Sequence, residues 1–206
     1  MSDNPSCFAD IVPGESPRDR MVRWGKKLNG VSLSNRLPEL IGLTGKGVET
    51  TEQAAQSVRL RTNCAISALG FLAAICGDVE RAKSVHWALA TPNKVGMSFA
   101  WLMMLGNDTG AMVLNKLGSG APKPGDILHY GNLGMNNDHA EILASVPTET
   151  GHAETFGGGR PNNAITYGET DHVYMSWSRP LIGWISLDLL PLPFVELNVD
   201  TVDPHQ

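Results

Sequence analysis

The run from Arg61 to Gly77, RTNCAISALGFLAAICG, constrains the chain most, because after Asn63 it carries Ser67 as its only polar side chain. A run this apolar has to be buried, and its spacing is helical. Thr62 or Asn63 can cap the start by accepting a hydrogen bond from a free first-turn N–H. Gly77 suits the left-handed residue that ends a helix. Ala65, Leu69, Leu72 and Cys76 recur at i, i+4, i+7 and i+11 as one buried stripe, widened by Ala68 and Ile75. Cys64 then falls in the first turn, at the positive end of the helix dipole. Unpaired N–H groups there favour a thiolate and can hold an oxyanion. Buried cysteines also serve as small core hydrophobes, and Cys76, on the stripe, reads that way.

The 206 residues suffice for one domain with a real core, spanning 1–206, with an irregular arm over 1–20 and a frayed tail over 196–206. A net charge of −5 with no basic run argues against a nucleic-acid partner. Three cysteines give no disulfide framework. No signal peptide and no apolar stretch of membrane-spanning length is expected, so the chain is read as made in the cytoplasm without a membrane partner.

The first half reads as helical: a short helix from Met21 to Leu28, one after Thr50 or Thr51, the Cys64 helix, one from Val79 to Ala90 and one near Ser98 to Leu105. After Gly118 the texture changes to short strands between glycine and proline turns. Strands are expected at 126–130, 139–146, 152–156, 164–167, 172–177 and 181–187. Helices first and an antiparallel meander second make the class α+β.

On the 139–146 strand, alternation places His139, Glu141, Leu143 and Ser145 on one face and the apolar Ala140, Ile142, Ala144 and Val146 on the other. His139 stands at the strand mouth, where a functional group gains a rigid base. An imidazole beside a helix-start thiol takes its proton and later returns one to a leaving amine. Such a base needs a third group to fix its ring. Glu154 or His152 on the next strand can supply it, as can Asn162 or Asn163. Asn63, Asp138, His152 and Trp101 are candidates for contacting substrate. Neither a His-Glu-x-x-His nor paired Cys-x-x-Cys motifs are present, so no metal and no other cofactor is expected.

Taken in order, the capped Cys64 helix, Pro124-Gly125-Asp126-Ile127-Leu128-His129-Tyr130, Asp138-His139-Ala140-Glu141-Ile142-Leu143, Ala153-Glu154-Thr155-Phe156-Gly157 and Gly183-Trp184-Ile185 resemble the papain-like cell-wall hydrolases. The likeness is greatest to the CHAP (cysteine, histidine-dependent amidohydrolase/peptidase) domains and their NlpC-type relatives, over roughly residues 60 to 187. The resemblance implies a papain-like fold, with the cysteine heading a central helix packed on an antiparallel sheet. It implies Cys64 as nucleophile, His139 as base and Glu154 as the group orienting it. It further implies a cysteine amidase or endopeptidase cutting the peptide stems of peptidoglycan, similar to the amidase toxins of type VI secretion or to a phage lysin. Such a toxin would reach a target-cell periplasm or be secreted, and would have a cognate immunity protein. A transglutaminase-like or deamidating toxin acting on protein glutamine would use the same residues.

Overall fold

The computed structural model describes residues 12–31, 64–75, 110–131, 138–160, 164–176 and 178–190. Two helices, α1 (Pro17–Lys27) and α2 (Cys64–Ile75), accompany seven strands. The strands are β1 (Met112–Leu114), β2 (Ile127–Tyr130), β3 (His139–Leu143), β4 (Ala153–Arg160), β5 (Ala164–Thr170), β6 (Met175–Ser176) and β7 (Arg179–Ile185). The sheet order is β1-β7-β2-β3-β4-β5, with β6 paired to β7, and these pairings are antiparallel. The α+β class therefore holds.

α1 begins at Pro17, inside the stretch expected to be an irregular arm, because Ser16 caps it by accepting from the Asp19 amide and Pro17 suits a first-turn position. β1 was not anticipated, since three residues are too few to show a period. The helices expected after Thr50, over Val79–Ala90 and near Ser98–Leu105 lie outside the described residues, as does the 196–206 tail.

α2 buries Cys64, Ser67, Ala68, Phe71, Leu72 and Ile75. Ala68, Leu72 and Ile75 belong to the expected stripe, but the buried face runs through Cys64 itself. A helix apolar all round offers no polar face from which to find its orientation. This stripe packs on Ile127, Ala140, Ile142, Phe156 and Ile185, which together with Met21 and Trp24 of α1 form the larger core. Leu128, Tyr130, Leu143, Ala153, Val173, Leu181 and Trp184 form a second core on the opposite face of the sheet. Both faces of β2 and β3 are thus covered, which explains why β2 is buried throughout.

The Pro124-Gly125-Asp126 turn is structural. Gly125 takes φ +91°, and its N–H donates to the Leu143 carbonyl at 2.7 Å. Asp126, 1% exposed, accepts from Arg18 at 2.8 Å, from the Lys123 amide at 2.8 Å and from the Leu187 amide at 3.0 Å. One carboxylate thereby joins α1, β2 and the segment after β7.

Close packing on the helix side gives a test. A Cβ at Gly25 would lie 2.6 Å from the Phe156 ring. That ring is fixed edge-on by Phe71 and face-on by Tyr167. Alanine gains about 1 kcal/mol over glycine in a helix, whereas forcing a methyl into a packed core costs about 1–3 kcal/mol. The ring has nowhere to move, so the clash wins. Gly25→Ala should lower the stability measured by urea denaturation by up to about 2 kcal/mol; a raised midpoint would contradict this packing.

Candidate active site

Cys64 is the first residue of α2 and is 3% exposed. Its position is held by Ser67, one turn along. The Ser67 hydroxyl donates to the Cys64 carbonyl at 2.8 Å and accepts from the Gly158 amide of β4 at 2.8 Å. A buried serine normally weakens a helix, but here it fastens the Cys64 turn to the sheet.

Among the described residues, the register pairs β3 with β4 through Ile142↔Phe156 and Leu143↔Thr155. Farther along, the Gly158 amide turns to α2, and β4 is irregular between Gly157 and Arg160. His139, at the other end of β3, therefore lies beside the first turn of α2 and hydrogen-bonds the Cys64 side chain. His139 Nε2 is 3.0 Å from Glu141 Oε1. Its ring stacks on Tyr130, with centroids 6.3 Å apart and planes 26° from parallel. Tyr130 is a fixed platform: its hydroxyl donates to the Val173 carbonyl at 2.9 Å, and burial, aided by the Glu141 charge, raises its pKa.

Burial alone would lower the pKa of His139. Hydrogen bonds that the ring donates to Cys64 and Glu141, with the charges of both, outweigh it and push the value up to about 9. The imidazolium therefore persists at neutral pH. An unfolded histidine titrates near about 6.5, so the protonated ring stabilises the fold fully below pH ~6.5, and this contribution is lost as pH rises through about 9.

The structure places Glu154 elsewhere. Its carboxylate accepts from the Tyr167 hydroxyl at 3.0 Å, on the face where Phe156 meets Phe71. His139 and Glu141 pair with Tyr130 and Leu128 and share the other face. The pleat thus separates Glu154 from the histidine, and the carboxylate on His139 is Glu141, two residues along the same strand. Alternation had already put these two on one face; the β3–β4 register was the missing fact.

Asp138, a candidate for contacting substrate, lies against His129. It holds the buried His129, Oδ2 to Nε2 at 3.1 Å, and a Cβ at Gly131, φ +145°, would collide with its carboxylate. His129 has its pKa lowered, with burial outweighing the attraction of Asp138. His152 is half exposed, 3.8 Å from Glu169 and from Asp171. Asn63, Trp101, Asn162 and Asn163 lie outside the described residues. Among the described residues, no cluster of His, Cys, Asp and Glu is placed to hold a metal ion, and no helix is long and apolar enough to cross a membrane.

A cavity of about 150 Å³ opens beside His139 and Glu141, lined also by Thr155, Phe156, Gly157, Thr166, Tyr167 and Gly168. Comparison with family models, with curated proteins and with solved structures gives no match.

The charge balance around His139 can be read directly by NMR titration of its ring. The wild-type ring should titrate near pH 9, and Cys64→Ala or Glu141→Gln should each lower that value. The double variant should fall to or below the ordinary ~6.5, because burial then acts alone. A ring still titrating near 9 without both partners would contradict the hydrogen-bonded chain.

Proposed function

We propose that the protein is a cysteine amidohydrolase or peptidase in which Cys64, His139 and Glu141 form the catalytic unit. The observation that carries this is the continuous hydrogen-bonded chain from the helix-start thiol through His139 to Glu141, beside a cavity. The order of elements favours a papain-like arrangement, with the cysteine helix packed against an antiparallel sheet that presents the histidine.

The steps follow from the groups in place. The Cys64 thiolate, paired with the His139 imidazolium, attacks an amide carbonyl carbon to form a C–S bond. Free amides in the first turn of α2 stabilise the oxyanion. The tetrahedral intermediate collapses as the C–N bond breaks, and His139 donates its proton to the departing amine. Water then attacks the thioester and gives a proton to His139. The acid leaves, and the thiolate is restored. Glu141 accepts from Nε2 throughout, fixing the ring and stabilising its charged form. In this reading Glu154 is a structural partner of Tyr167.

The substrate we favour is the peptide stem of peptidoglycan, supported by the likeness of the ordered motifs to cell-wall hydrolases. Purified protein incubated with peptidoglycan sacculi should release stem fragments with newly cut amide bonds, identified by mass spectrometry. Cys64→Ala should abolish release, and Glu141→Gln should slow it by roughly 100-fold or more. Glu154→Gln should retain most of the rate. Fragment release by Cys64→Ala, or a greater loss in Glu154→Gln than in Glu141→Gln, would overturn the assignment. Intact sacculi with a reactive Cys64 would reject the wall substrate alone.

A further inference from the structure

The floor of the cavity is unusually bare. Thr155 pairs with Gly168 and Gly157 with Thr166, so these four positions make a checkerboard on one face of β4 and β5, next to Glu141. Glycine inside a paired strand weakens it and needs a reason. Two common reasons are a left-handed backbone and a crowding neighbour. Gly168 has neither: its φ lies outside the left-handed region, and a Cβ there would meet nothing within 4 Å. At Gly157 the nearest atom to an added Cβ would be the Ala140 carbonyl oxygen at 3.5 Å, an ordinary contact. Gly183 differs, because a Cβ there would run into the Val113 carbonyl. The fold thus explains Gly183 and leaves Gly157 and Gly168 unexplained.

We infer that this floor is a subsite for a peptide residue with a small side chain, hydrogen or methyl, lying flat on β4 and β5, and that Gly168 sets the size limit. The inference rests on the proposed cysteine chemistry, since His139 and Glu141 form the adjoining wall. The cavity's 150 Å³ is well below the roughly 300–1,000 Å³ of pockets that enclose a whole small ligand, so it seats one segment of a longer chain. Phe156 and Tyr167 also line the cavity, their rings stacked on each other with centroids 5.9 Å apart. The two threonines frame the glycines, and Thr166 Oγ1 donates to the Gly157 carbonyl at 3.3 Å, which keeps that strand edge in place.

Covalent probes test this without knowledge of the natural substrate. Acetyl-Ala-Ala and acetyl-Val-Val chloromethyl ketones alkylate a thiolate, forming a C–S bond and expelling chloride. Iodoacetamide, too small to need the floor, reports the thiol alone. Wild-type Cys64 should react with the alanine probe at least ~10-fold faster than with the valine probe, the discrimination expected for one or two methyl groups in a tight site. Gly168→Val should slow the alanine probe by ~10-fold or more while iodoacetamide still labels Cys64 at the wild-type rate, and Gly168→Ala should fall between. Equal rates for the two probes in wild type would overturn the subsite, and so would an undiminished alanine-probe rate in Gly168→Val. The wild-type ratio and Gly168→Ala decide the matter if the valine variant misfolds. A Cys64 inert to iodoacetamide would instead remove the cysteine chemistry itself, and the subsite with it.

Discussion

Everything at the candidate site depends on strand register. A pleated strand has two faces, and pairing with its neighbour decides which side chains share one. The pairing of Tyr130 with His139 and of Leu128 with Glu141 puts histidine, carboxylate and aromatic platform on one face. The pairing of Ile142 with Phe156 carries Glu154 to the other. A slip of one residue between β3 and β4 would turn Glu154 to the face that carries His139 and Glu141.

The second requirement is that a buried thiol and a charged imidazole coexist beside a core. Burial opposes the charge on His139, yet the ring stays protonated because two partners compensate. The surroundings are rigid: Tyr130 is anchored to Val173, and Ser67 ties the Cys64 turn to Gly158. Groups locked by packing and by outer hydrogen bonds hold a reacting geometry better than groups on free loops. The His129–Asp138 pair shows the other balance, in which burial prevails and the histidine pKa falls.

The glycines sort by what surrounds them. Gly25 makes room for Phe156, Gly125 turns the chain before β2, and Gly131 clears the Asp138 carboxylate. A Cβ at Gly157 would make only ordinary contacts and one at Gly168 would face open space, so packing within the fold requires neither glycine.

The α+β class, the apolar helix that carries Cys64 and the shared face of His139 and Glu141 were legible in the sequence, because the periods of 3.6 and 2 are local properties. The start of α1 at Pro17 was missed, although Ser16 and Pro17 carry its cap signals, because the prolines around them read as an irregular arm. On α2, Ala68, Leu72 and Ile75 of the expected stripe are buried, and Cys64 joins them. The choice of Glu141 over Glu154 was not legible. Both carboxylates lie within a few residues of a suitable histidine or strand, and only long-range pairing between β3 and β4 separates them. Local spacing determined the elements and the candidate residues; tertiary pairing decided which of them meet, because register and helix orientation are set by contacts far apart in the chain.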